Sequence, residues 1–162
     1  MAKPDGSDWS YSREHEGRVT FGKLGGDAVQ SLSGMVVLSK RPSLESEAAF
    51  LDLVRDQRSR DAGDSRCEDI IREESVSVND GTWVVRFSIK YRDFGASNLP
   101  PAARYLVIED RGATFRHPMY SGVAVTITLS QRSLPDAPLE NFAALAEHLI
   151  NSVEFHAAPR EE

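Results

Sequence analysis

Cysteine is almost absent from this chain: Cys67 is the single thiol among 162 residues. One thiol cannot close an intramolecular disulfide or build a zinc site from several thiolates. A lone free cysteine is ordinarily a small buried residue, and it does not report the compartment. Long apolar runs are absent too, and no stretch reaches the roughly 18 residues that a membrane-spanning helix needs. Positive charge is in the minority, with 19 Lys and Arg against 25 Asp and Glu for a net charge of −6. Nucleic-acid binding runs on basic side chains that displace counterions from phosphates, so this balance argues against a nucleic-acid partner and against general attraction to an anionic membrane. Internal repeats, low-complexity tracts and interdomain linkers are missing as well.

Catalytic and metal signatures are equally scarce. The four histidines, His15, His117, His148 and His156, show no i, i+4 pairing of the metal-ligand kind. The glycines of Phe21-Gly22-Lys23-Leu24-Gly25-Gly26 fit neither phosphate-loop pattern, and Tyr120-Ser121-Gly122-Val123 supplies no G-x-S-x-G elbow. Glu68-Asp69 and Glu73-Glu74 are adjacent in sequence, which on a strand sends the two side chains to opposite faces. No catalytic residue, metal ligand or cofactor is assigned on this basis.

What the chain does contain is the patterning of one globular α+β domain. Apolar residues make up 40% and charged residues 27%, as in packed rather than disordered chains. A domain of this size buries roughly 70% of the surface its unfolded chain exposes, so no staple is required. We divide the chain into a disordered start over 1–12, the domain over 13–157 and a flexible tail over 158–162. The start is polar, holds Pro4 and Gly6, and has no apolar signal-peptide core. That leaves two readings of location: a cytoplasmic protein, or an exported one whose signal lies outside this chain.

Two early strands are expected, Arg18 to Leu24 and Gly34 to Lys40, around a turn at Gly25-Gly26-Asp27. A helix follows Pro42, with Ser43 as N-cap, Glu45 and Glu47 in its first turn, and an apolar face of Leu44, Ala48, Phe50, Leu51 and Val54. Asn79-Asp80-Gly81 marks a hairpin between residues 68–78 and 82–92. Its return strand alternates strictly: Trp83, Val85, Phe87, Ile89 and Tyr91 share one face. Residues 104–117 read either as a short hairpin turning at Asp110-Arg111-Gly112 or as one bulged strand. Val123 to Arg132 alternates again. The closing helix has the 3.6-residue period in Leu139, Phe142, Ala143, Ala146, Leu149, Ile150 and Val153, and starts at Asp136 or Pro138. A final short strand over Val153 to His156 can follow. The order is ββαββββα(β), a mostly antiparallel sheet of six to eight strands with both helices packed on it.

Candidate binding residues come from two places. His117 stands in Phe115-Arg116-His117-Pro118-Met119-Tyr120, at a strand end where functional side chains gather. Its functional reading is a ligand contact or acid–base group, with Arg116 beside it. The plainer reading is a histidine that anchors its loop by bonding backbone. The second place is a sheet face: Arg86, Lys90 and Arg92 share one side of a strand, and Thr126, Thr128 and Ser130 one side of another. If those strands are neighbours, the face is polar and suits a partner or an anionic ligand, unless it is simply solvated.

Several short pieces carry a family resemblance. They are Ser39-Lys40-Arg41-Pro42-Ser43-Leu44, Val78-Asn79-Asp80-Gly81, Ser130-Gln131-Arg132 and Ser152-Val153-Glu154-Phe155. With the element order they resemble the PsbP-like fold over about residues 18–156, the fold of the photosystem II extrinsic protein P, the Mog-type Ran-binding proteins and the DcrB-like envelope proteins. The resemblance implies an α/β/α sandwich, no enzymatic activity, a role through binding, and relatives among bacterial lipoproteins of the periplasm and cell envelope. It transfers no functional residue. Arg132 joins His117, Arg116, Arg86 and Lys90 as a candidate binding residue. The function expected is a non-catalytic envelope domain that binds a protein or a small ligand. A cytoplasmic chaperone or adaptor working as a homodimer, and a small-molecule-binding or hydrolytic domain built on His117, are the alternatives.

Overall fold

The computed structural model describes residues 10–15, 17–24, 29–40, 46–61, 66–79, 81–97 and 99–156. The expectations for residues 1–9, the Gly25-Gly26-Asp27 turn, Ser43 as a cap and the 158–162 tail lie outside them. Among the described residues, seven strands form one antiparallel sheet. They are β1 (Ser10–His15), β2 (Arg18–Leu24), β3 (Ser31–Lys40), β4 (Cys67–Asn79), β5 (Thr82–Asp93), β6 (Leu106–Arg116) and β7 (Val123–Ser133). Helix α1 (Glu47–Asp61) lies between β3 and β4, and α2 (Phe142–Asn151) follows β7.

The order across the sheet is β1-β2-β3-β7-β6-β5-β4. Two meanders, β1 to β3 and β4 to β7, are thus joined along the β3–β7 pair, and α1 carries the chain from the middle of the sheet to its far edge. The predicted ββαββββα order forms the body of this fold. Two details differ. Among the described residues the sheet already includes Ser10, inside the segment assigned to a disordered start; β1 is a polar edge strand with no apolar alternation to announce it. The strand expected at Val153 to His156 is absent: these residues have no strand partner, and Val153 and Phe155 pack on the α2 core instead.

Residues 106–116 form one uninterrupted strand, with continuous pairing to both β5 and β7. There is no turn at Asp110-Arg111-Gly112. Gly112 serves packing here. It pairs directly with Phe87 of β5, and a Cβ at Gly112 would run into the Phe87 ring and the Ile127 carbonyl. The opposite sheet face repeats the device. Gly34 of β3 pairs with Phe21 of β2, whose ring occupies the space of the missing side chain. Glycine within a strand ordinarily weakens it; an aromatic ring laid over it from the next strand restores packing and pins the register.

The helices take opposite faces. α2 packs Phe142, Ala146, Leu149 and Ile150 on Phe21, Val84, Phe115, Ile127 and Leu129. α1 packs Phe50, Leu53 and Val54 on Val85 and Ala124, with Trp83 alongside. Both helices begin later than expected. α1 is capped by Ser46, whose Oγ accepts the Ala49 N–H at 3.1 Å. α2 starts at Phe142 because Asn141 is in the left-handed conformation, φ 63°, and because the Leu139 N–H donates to Oε1 of buried Gln131 at 3.0 Å. That bond holds the β7–α2 connection against the sheet. The edge strand β4 carries Glu68, Asp69, Arg72, Glu73 and Glu74 and a bulge between Asp69 and Ile71, features that discourage edge-to-edge pairing.

Gly112→Ala is expected to cost about 1–3 kcal/mol by overpacking, read as a lower urea midpoint at unchanged slope. In the Gly112→Ala/Phe87→Leu double variant the loss should fall short of the sum of the single losses, since the smaller side chain makes room for the methyl group.

Candidate functional site

Register fixes which side chains share a face, because directly paired residues point the same way. On the α1 face one row across the sheet reads Thr20, Met35, Thr128, Gly112, Phe87 and Glu74 from β2 to β4. The row nearer the helix holds Arg18, Val37, Thr126, Thr114 and Val85, and the row beyond holds Ser33, Ser130, Asp110, Ile89 and Arg72. β7 therefore lays a stripe of hydroxyls, Thr126, Thr128 and Ser130, down the middle of this face. Apolar Val37 and Met35 flank it on β3, and Phe87 and Ile89 flank it on β5, one strand further out.

α1 covers only part of the face. Its apolar side chains sit over Trp83, Val85 and Ala124, and polar groups tie its later turns to three strands. The Gln57 amide donates to Ser39 Oγ at 2.9 Å, and Arg55 pairs with Glu74 at 3.0 Å. The Arg58 guanidinium lies over the Phe87 ring, 3.0 Å from its centroid. The uncovered remainder is a groove of about 680 Å³, walled by Val54, Gln57 and Arg58 of the helix and floored by β2, β3, β7, β6 and β5. Small-molecule sites fall in the range of ~300–1,000 Å³. At its β4 end Arg72 pairs with Asp69 at 3.1 Å. Tyr91 also lines the groove; burial first, and then the Asp110 carboxylate, push its hydroxyl pKa up, so it stays protonated. Half-buried Cys67, also on β4, lines the groove as well.

None of the five candidate binding residues lines this groove. His117 follows β6 and anchors its turn: its N–H donates to the Val123 carbonyl at 2.8 Å and its Nδ1 accepts the Met119 N–H at 3.1 Å. Its ring rests between Tyr120 and Phe155, with centroids 4.7 and 4.8 Å away. Arg116 stacks over Trp83 at 4.6 Å. Arg86 is on the α2 face, where it bonds Glu147 and Asn151 of α2, each at 2.7 Å. Lys90 is on that face too, between Ile71 and Glu109 in register. Arg132 returns to the α1 face and stands 3.6 Å from fully buried Asp93.

The shared polar face expected for Arg86, Lys90, Arg92 and the β7 hydroxyls does not form. β6 separates β5 from β7, and the register sends the cations to one side of the sheet and the hydroxyls to the other. The hydroxyl stripe was legible as alternation. Arg18, Thr20 and Arg58 were not, since nothing local in the sequence says that β2, β7 and α1 meet.

No protein-family model matches this chain, and no curated protein matches it. Among solved structures it is similar to the lipid transfer and protein localization domain of human StarD13 (DLC2), at 12% identity over 88% of this chain and 83% of that one, with a TM-score of 0.33. It is also similar to human STARD10, at 13% identity over 89% of this chain and 68% of that one, with a TM-score of 0.36. A likeness at this level carries no functional argument. Among the described residues no cluster of His, Cys, Asp and Glu could hold a metal ion, and no helix is long and apolar enough to cross a membrane.

Burial lowers the His117 pKa below its ordinary 6.5. The neutral ring, with Nδ1 as acceptor, is the form that fits the turn. Its contribution to stability is therefore fully present above 6.5 and is lost as pH falls through the lowered value. The urea midpoint of the wild type, measured from about pH 8 to about pH 5, should drop relative to that of His117→Gln once the pH passes below the ordinary histidine value. Parallel curves for the two proteins would refute this role.

Proposed function

We propose that this chain is a non-catalytic binding domain that takes a small amphipathic molecule in the groove between α1 and the sheet. The observation that carries the reading is the partial cover of the α1 face. A sheet face is normally buried under a helix or fully solvated; here α1 seals one end and leaves a concave remainder of about 680 Å³. Its lining mixes hydrogen-bonding hydroxyls with Met35, Val37, Phe87 and Ile89, the blend of apolar wall and few polar groups that small-ligand sites use. The hydroxyls can donate and accept hydrogen bonds, and those of Thr114 and Thr126 share one at 2.9 Å. The small-ligand reading thereby passes from His117 to the sheet face.

The layering, one helix on each side of the sheet, supports the PsbP-like relationship as part of this proposal. The cell-envelope location rests on the PsbP-like motifs alone and is checked by fractionating cells that express the native gene.

The groove is tested with N-phenyl-1-naphthylamine, an uncharged amphipathic fluorophore that brightens on leaving water. The wild type should take it up saturably. Thr128→Trp, which plants an indole on the groove floor, should weaken binding by about tenfold, or ~1.4 kcal/mol. Ser121→Trp on the distant β6–β7 turn should leave binding unchanged. No saturable uptake by the wild type, or equal affinity in Thr128→Trp, would overturn the reading.

A further inference from the structure

We infer that the groove selects an organic anion, an acid group attached to an apolar body, with Arg18 and Arg58 as the residues that hold the charge. The inference rests on the groove being a ligand site and adds the ligand's chemical class.

The charge distribution is the first argument. The chain as a whole is acidic, with a net charge of −6, yet the groove is lined by three arginines, Arg18, Arg58 and Arg72, against two aspartates, Asp69 and Asp110. Arg72 and Asp69 pair with each other at the β4 end. By residue, the lining thus holds one more cation than carboxylate in a chain whose overall balance is the reverse. All the cations are arginine, whose guanidinium stays charged at any working pH and suits the planar, two-pronged recognition of carboxylate and related acids. Concave sites with low-dielectric walls strengthen the field of such charges.

Placement is the second argument. Arg18 is on β2, two strands to one side of the β7 stripe, and Arg58 lies over the Phe87 ring, which is seated on Gly112 of β6, the strand next to β7 on the other side. At the usual strand spacing that is ~10 Å on the Arg18 side, a span a long side chain reaches across, and ~5 Å on the Arg58 side. An acid group over Thr126 and Thr128 is thus bracketed by a cation from either flank, while the ligand's apolar body lies against Met35, Val37 and Ile89. Arg58 is held in advance: its guanidinium is stacked on a ring that is itself seated on Gly112. A pre-placed cation loses little freedom when it binds.

The third argument is independent of charge. Thr20 Oγ1, in the same row as Thr128 and two residues from Arg18, is shielded from solvent and has no hydrogen-bond partner. An unsatisfied shielded hydroxyl is costly. A small rotation would let it donate to an anionic oxygen between Arg18 and the β7 stripe.

The experiment uses a matched pair of probes that differ by one charged group. N-phenyl-1-naphthylamine is neutral; 8-anilinonaphthalene-1-sulfonate is the same ring system with a sulfonate. Titrated against the intact chain in one buffer, the sulfonate should bind roughly tenfold more tightly than the neutral probe. Arg18→Gln and Arg58→Gln should each lower the ratio of sulfonate to neutral-probe affinity roughly threefold. The double variant should erase the preference, and Arg58→Lys, which keeps the charge without the fork, should fall between. Thr128→Trp should weaken both probes, which places the sulfonate in the groove. Saturable binding of the neutral probe by each variant guards against loss of folding, and Arg18, being exposed, is the safer of the two substitutions. Equal affinity for the two probes in the wild type, or a preference that survives the double variant, overturns the anion inference while the groove reading stands. Failure of both probes to bind overturns the two together.

Discussion

The Phe87 ring seated on Gly112 is the contact on which the rest of this structure turns. It joins β5 to β6 side by side, and it works because Gly112 leaves a hollow that any Cβ would fill. The ring becomes a fixed platform on the sheet. Arg58 of α1 stacks on that platform, which, with the Gln57–Ser39 and Arg55–Glu74 contacts, seats the second half of the helix.

From that seat follows the incomplete cover of the face. α1 closes over the Trp83, Val85 and Ala124 end through Phe50, Leu53 and Val54, while its polar side chains, Gln57, Arg55 and Arg58, tie it to the sheet around the open region. The face beyond carries hydroxyls on β7 where a sealed core would carry branched aliphatics. The other face shows the contrast. There Phe21 rests on Gly34 in the same way, but α2 brings Phe142, Ala146, Leu149 and Ile150 down on an apolar cluster around Ile127, with Arg86 bonded to the helix beside it. One sheet thus has a side packed under α2 around Ile127 and a side that α1 covers only in part.

The sequence was legible wherever the signal was local and repeated. Strict alternation in β5 and β7 and the 3.6-residue period of α2 gave those elements and their faces, since a side chain's direction follows from its parity along a strand or its angle around a helix. The readings that failed were of a different kind. β1 is polar at an edge and has no pattern to show. Asp110-Arg111-Gly112 has turn composition, yet Gly112 is there to receive a ring from the neighbouring strand. The late start of α2 comes from buried Gln131 reaching the Leu139 N–H, a bond between segments. His117, offered at its strand end as a ligand contact or as a loop anchor, accepts the Met119 N–H at Nδ1, the bond that the anchor reading expects.

By itself, then, the sequence determined the class of the fold, the residues that face together within each strand and helix, and the lack of any recognised catalytic or metal motif. Tertiary structure alone decided the site. Whether Arg86 and Thr128 share a face depends on how many strands lie between β5 and β7 and on the register of each pair, and whether Arg18, Thr20 and Arg58 meet one groove depends on where α1 crosses. Parity within a strand is set by backbone geometry and can be read from neighbours in the chain. Strand order and helix placement are set by contacts between residues far apart in sequence, and no local pattern encodes them.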